Sequence, residues 1–169
     1  MKENGYIRKI DELGRIVIPK ELRQRLKIHD GENLIINAID KNISLSKYSY
    51  IENNTKFINL VGDKTSFFTN FNVIITDLEN IIYSNNKCYV NQVIPLVLRN
   101  CLNSRESIML SNLKINEAEE LNGYICVEPI ISNSLCIGLS ILYSNKNHEF
   151  LPKVTKLLAH VISIHLDIT

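Results

Sequence analysis

The sequence predicts an α+β chain in two parts, on three observations. The first 50 residues read β-β-α-β-β and carry a basic excess. The remainder reads as a helix, paired antiparallel strands and a closing amphipathic helix. Between them lies a polar stretch holding Ser49, Glu52, Asn53 and Asn54. The expected division is 1–50 for the first domain, 51–55 for a linker and 56–169 for the second domain. A chain of 169 residues has room for one ordinary domain or two small ones. Its 45% hydrophobic and 22% charged residues are those of a folded protein.

In the first block, Gly5 to Ile10 reads as a short strand and Asp11-Glu12-Leu13-Gly14 as a turn. The β-branched run Arg15 to Ile18 reads as a second strand. Pro19 suits the first position of a helix over Lys20–Lys27, where its missing N–H is no loss. His29-Asp30-Gly31 ends that helix. Leu34–Ile39 and Ile43–Lys47 form a hairpin around Asp40-Lys41-Asn42. So small a unit buries little core alone, and it holds no disulfide or metal spacing to compensate. Its many apolar residues, among them Ile16, Ile18, Leu22, Ile36, Ile43 and Leu45, imply that two copies share one core.

In the second block, Lys56–Phe68 reads as a helix. Phe71–Thr76 and Ile81–Ser84 read as strands around an Asp77–Asn80 turn. Asn91–Cys101 is expected to be helical despite Pro95, and Ser107–Leu110 to be a short strand. Tyr124–Ile131 and Cys136–Ser144 form a hairpin at Asn133-Ser134. Pro152 opens a last helix with Val154, Leu157, Leu158, Val161, Ile162 and Leu166 on one broad apolar face.

Charge divides unevenly. Residues 1–47 hold ten Lys/Arg against seven Asp/Glu, and the remainder nine against eleven. A basic block joined to a slightly acidic one points to a nucleic-acid module plus a second function. On the Lys20–Lys27 helix, Leu22 and Leu26 share one side, opposite Lys20, Arg23, Gln24 and Lys27. Glu21 and Arg25 stand at i, i+4, an order that favours an ion pair. Arg8, Lys9 and Arg15 flank the turn, and two copies would present a doubled basic surface to phosphates.

Other chemistries find no pattern. Cys88, Cys101, Cys126 and Cys136 show no metal-ligand spacing and are expected to be reduced and mostly buried. His29, His148, His160 and His165 show no metal spacing either. Neither a Gly-rich phosphate loop nor a nucleophile elbow is present. No catalytic residues, metal site or cofactor are therefore expected, and the chain is read as a non-enzyme. No apolar run reaches the roughly 18 residues of a membrane span, and the polar start Met1-Lys2-Glu3-Asn4-Gly5 is no signal peptide. A cytosolic location without a membrane partner is expected.

The run Arg8-Lys9-Ile10-Asp11-Glu12-Leu13-Gly14-Arg15-Ile16-Val17-Ile18-Pro19-Lys20-Glu21-Leu22-Arg23 closely resembles the DNA-binding domain of the AbrB transition-state regulators. The match continues through Leu26 and Ile28 to Lys47-Tyr48. The resemblance implies a swapped-hairpin β-barrel built by two chains, a homodimer on double-stranded DNA. It implies DNA contact through Arg8, Arg15 and Arg23, with Lys9 as a further basic position. Gln24 departs from the pattern, since several relatives carry arginine there; it can still hydrogen-bond a base or phosphate. The family reads DNA shape rather than a strict consensus. A nucleoid-associated role follows from the same resemblance.

The whole chain is similar to sporulation regulators of that family that join this domain to a GAF-like domain. Pro129-Ile130-Ile131-Ser132-Asn133 followed by Ile137-Gly138 resembles the GAF hairpin. That resemblance implies a tetramer through the last helix and the Lys56–Phe68 helix. It leaves open a small-ligand role, for which Tyr83, Tyr89, Tyr124 and Cys126 are candidate lining residues. Two other classes stay open: an antitoxin-like partner protein, and a ligand-binding signalling module whose basic end only dimerises.

Overall fold

A computed structural model describes residues 5–28, 30–31 and 33–168. His29, expected at the end of the first helix, and Glu32 lie outside the described residues. The chain forms two compact units, Met1–Tyr48 and Ser49–Thr169.

In the first unit, the helix α1 (Lys20–Arg25) is followed by a hairpin of β1 (Leu34–Ile39) and β2 (Asn42–Lys47). Pro19 caps α1 from one position before its first residue. Asp40 turns the hairpin with a positive φ, and Ile39 pairs with Asn42. The strands expected at Gly5–Ile10 and Arg15–Ile18 are not formed within the chain. A ladder needs a partner edge, and β1 and β2 pair only with each other.

The register sets Ile36 opposite Leu45 and Ala38 opposite Ile43. Directly opposed residues share a sheet face, so these four make one apolar face. It is uncovered within the chain: Ile36 is 70% exposed, Ile43 69% and Leu45 44%. Ile7, Ile10, Ile16 and Val17 are exposed as well.

In the second unit, α2 (Tyr50–Asn53) and α3 (Thr55–Thr69) precede β3 (Asn72–Thr76) and β4 (Ile81–Ser84). Then come α4 (Leu96–Ser104), β5 (Ile108–Lys114), β6 (Glu120–Ser132), β7 (Leu135–Ser144) and α5 (Leu151–Ile168). The five strands form one antiparallel sheet in the order β4-β3-β7-β6-β5. Side chains of successive strand residues point to opposite faces, so the sheet feeds two cores. Val73 and Ile75 join Ile51, Ile58, Leu158 and Ile162 from α2, α3 and α5. Ile74 joins Leu98 and Cys101 from α4 on the other side. The result is three layers, helix on sheet on helix.

Two glycines are set by close approach. A Cβ on Gly62 would lie 2.4 Å from the Tyr83 ring, and one on Gly138 would lie 2.0 Å from the Thr76 carbonyl oxygen.

Four expectations are corrected. Residues 51–55 do not form an extended linker: Ile51–Asn53 end α2, Asn54 turns the chain, Thr55 opens α3, and Ile51 is fully buried. Ser49 caps α2 by accepting from the Glu52 N–H and donates to Asp77 Oδ2 at 2.8 Å. The fourth helix does not run through Pro95 but starts after it, because proline cannot continue a helix from inside. The strand expected at Ser107–Leu110 extends to Lys114, carried by its pairing with β6. The apolar face of α5 is split: Leu158, Ile162 and Leu166 are buried, whereas Leu157 is 62% exposed and Val161 stands outside the core. The sulfurs divide too: Cys101 and Cys126 are buried, Cys136 half-buried and Cys88 exposed.

Candidate nucleic-acid interface

The turn after Ile10 is built around Asp11. Its carbonyl accepts from Gly14 N at 3.0 Å, and its own N–H donates to the Arg15 carbonyl at 3.1 Å. Gly14 has φ +75, a conformation glycine adopts at no steric cost. Asp11 Oδ1 accepts from the N–H of Leu13 at 3.0 Å and of Arg15 at 2.8 Å. Its second oxygen, Oδ2, accepts from Arg15 Nε at 2.7 Å. The backbone N–H of Arg15, then its guanidinium, hold the Asp11 carboxyl below its ordinary range. It is therefore ionised at neutral pH.

Arg8 and Lys9 are exposed just before this turn. Arg8 donates to the Ile7 carbonyl at 3.0 Å and lies 5.9 Å from the Tyr6 ring centroid. On α1, Arg23 is half-buried and donates through Nη1 to Asp30 Oδ1 at 2.6 Å. Arg23, Gln24 and Lys20 line an open concavity with Ile28 and Asp30. The predicted contact residues thus fall into two groups, Arg8-Lys9-Arg15 at the turn and Arg23-Gln24 at the helix.

The Glu21–Arg25 pair expected on the helix flank does not close, whereas Arg15 pairs with Asp11 and Arg23 with Asp30. An exposed i, i+4 pair on a helix contributes only about 0.3–0.5 kcal/mol, too little to fix two long side chains that have no further anchor; Asp11, by contrast, is short and held by the turn backbone. Sequence reasoning missed Asp11 and Asp30 as partners of the arginines. The Asp11-to-Arg15 spacing across a Gly14 turn was the available signal for the first. For the second, seven residues separate the partners and no local pattern marks them.

The four candidate ligand-lining residues are not brought together. Tyr83 and Cys126 are buried in the core under α3 and α5, and Tyr89 in the core under α4. The Tyr83 hydroxyl donates to Asp63 Oδ1 at 2.7 Å, and burial is the first cause that raises its pKa. Tyr89 donates to Glu119 Oε2 at 3.4 Å. Tyr124 is exposed and lines an open groove with Met109, Leu110, Ser111 and Gly123. Among the described residues, no three His, Cys, Asp or Glu side chains gather as a metal site would require. Among the described residues, no helix is long and apolar enough to cross a membrane.

Residues 7–52 match the family described as antidote-toxin recognition MazE, bacterial antitoxin. The transition state regulatory protein AbrB of Bacillus subtilis (strain 168) is 52% identical over 48 residues, 28% of this chain and 50% of that protein. The first unit is thus of the MazE/AbrB type. Among solved structures, the chain is similar in fold to a methyl-accepting chemotaxis protein, residues 122 to 287. That match has a TM-score of 0.54 at 15% identity and covers 68% of this chain and 90% of the other. The cyanobacteriochrome receptor PixJ matches at 0.51 and 14%, over 70% and 98%. Across both units, stage V sporulation protein T of Bacillus subtilis (strain 168) is 34% identical over 153 residues, 85% of each chain. The chain belongs to the family of stage V sporulation protein T.

Proposed function

We propose that the protein is a DNA-binding transcription regulator of sporulation genes that works as a homo-oligomer in the cytoplasm, on the nucleoid. The observation that carries this reading is the joint presence, in one small unit of the MazE/AbrB type, of exposed basic residues and an uncovered apolar hairpin face. Two copies closing those faces on each other would form a swapped-hairpin barrel and bring Arg8, Lys9, Arg15, Arg23 and Gln24 together twice. Phosphates would take the arginines by charge-assisted hydrogen bonds.

The second unit is GAF-like in this reading and joins two such dimers into a tetramer. Leu157, Val161 and Ile164 follow one another at i, i+4 and i+7 along the outer side of α5, and Leu60, Phe67 and Phe68 stand exposed on α3. Apolar surface of this kind marks an interaction site. Two DNA-binding heads on one scaffold gain avidity for suitably spaced sites. Small-ligand sensing has the groove at Tyr124 in its favour, but Tyr83, Tyr89 and Cys126 serve the core.

The antitoxin description of the matched family favours a second reading, in which the first unit serves a partner protein. Antitoxin chains commonly continue into a disordered tail, whereas a three-layer unit follows Tyr48 here. A duplex titration separates the two. Arg15→Ala is expected to weaken binding at least tenfold, since a charge-assisted hydrogen bond contributes about 1.5–3 kcal/mol. The slope of log K against log salt is expected to flatten by about one per lost phosphate contact. The oligomer should be unchanged by light scattering. Equal affinity and slope in the variant would remove Arg15 from the interface.

A further inference from the structure

We infer that Asp11 is a positioning residue for DNA recognition: it clasps Arg15 through Nε and aims the rest of its guanidinium outward. The inference rests on the DNA-binding reading above. An acidic side chain in the middle of a basic surface is unfavourable for phosphate binding by charge alone. Asp11 nevertheless has a fully occupied geometry. One carboxylate oxygen closes the turn on the backbone of Leu13 and Arg15, and the other receives Arg15 Nε at 2.7 Å. Arg15 remains 72% exposed at its side chain, so the clasp does not bury it.

The choice of nitrogen decides what the clasp can do. An arginine offers five N–H groups in a rigid planar fork. A carboxylate that took both terminal nitrogens would consume the edge that grips a phosphate or a guanine. The bond through Nε leaves the terminal edge open. It also fixes the plane of the fork relative to the turn, so less side-chain freedom is lost when DNA binds. Asp11 thus gives up some long-range attraction in exchange for a pre-oriented arginine. Arg23 differs, since it meets Asp30 through a terminal nitrogen, Nη1.

Charge and positioning predict opposite signs, which makes the test sharp. In full-length Asp11→Asn, Oδ1 can still accept from the turn backbone, but the negative charge on Oδ2 is gone. If Asp11 acts only as a charge, the variant binds a target duplex more tightly. If it positions Arg15, the variant binds the target about three- to tenfold more weakly, while binding to a random duplex holds or tightens. The same substitution in an Arg15→Ala background should no longer weaken target binding. The Arg15 Nε–H resonance, read without DNA, should lose its protection from solvent exchange in Asp11→Asn.

Tighter target binding by Asp11→Asn, or an equal loss in the Arg15→Ala background, would overturn the inference. An unprotected Nε–H in the parent protein would do the same. A parent protein that binds no duplex while its Nε–H is protected would instead overturn the DNA-binding reading, and the role assigned to Asp11 with it.

Discussion

Ile36→Asp in the first unit is expected to dissolve the N-terminal pairing and abolish DNA binding. Within one chain Ile36 is 70% exposed, and a polar substitution at such a site changes stability by no more than about 0.5 kcal/mol. If Ile36, Ile43 and Leu45 instead close on a second copy, the aspartate enters a core. It then forfeits apolar burial and leaves an uncompensated carboxylate, about 3–5 kcal/mol per copy. The two accounts differ by several kilocalories for one residue. Light scattering should find four chains in the parent protein and two in the variant, the latter held by the second unit alone. A variant of unchanged mass and unchanged DNA affinity would show that the hairpin face is free in solution.

Gly138→Ala is expected to cost the second unit about 3 kcal/mol, the upper range for overpacking a core. The added Cβ would lie 2.0 Å from the Thr76 carbonyl oxygen. That oxygen belongs to the neighbouring strand, whose Thr76 pairs with Leu139. Backbone cannot swing aside as a side chain can, so β3 and β7 must part at the centre of the sheet. The melting temperature should fall by roughly 10 °C for a unit of this size. Gly5→Ala is the control, because nothing lies within 4 Å of its Cβ position. A loss under about 1 kcal/mol in Gly138→Ala would mean that the strands yield at little cost.

Much of this was legible in the sequence where the signal is local. Pro19 and Gly14 mark a helix start and a left-handed turn, and both occur there. The two-residue turn Asn133-Ser134, with positive φ at both positions, closes β6 onto β7 as the flanking alternation predicts. Residues 51–55 were misread because Glu52, Asn53 and Asn54 are polar. Ser49-Tyr50-Ile51-Glu52 nevertheless has the spacing of a helix start, and Ser49 caps α2 by accepting from the Glu52 N–H. Pro95 was misread for the opposite reason, an apolar run that hides a break.

The acidic partners of the arginines were less legible. Asp11 and Arg15 are four apart, a spacing that also fits a helix, and the Gly14 turn brings them together here. Asp30 reaches Arg23 from beyond the helix, so its role depends on how the chain returns. The four candidate ligand residues do not converge because they sit on different elements: Tyr83 on β4, Tyr89 in the short helical turn Lys87–Tyr89 that follows it, and Tyr124 and Cys126 on β6. Tyr83 and Tyr89, both aromatic and six residues apart, end on different sides of the sheet.

The central claim is that the basic turn and helix of the first unit grip DNA. Hydrogen exchange of the full-length protein, with and without a target duplex, tests it most directly. Protection on adding DNA is expected in residues 5–28, strongest from Arg8 to Arg15 and around Arg23, with β5–β7 unchanged. Protection confined to the second unit, or none in residues 5–28 at saturating duplex, would contradict it.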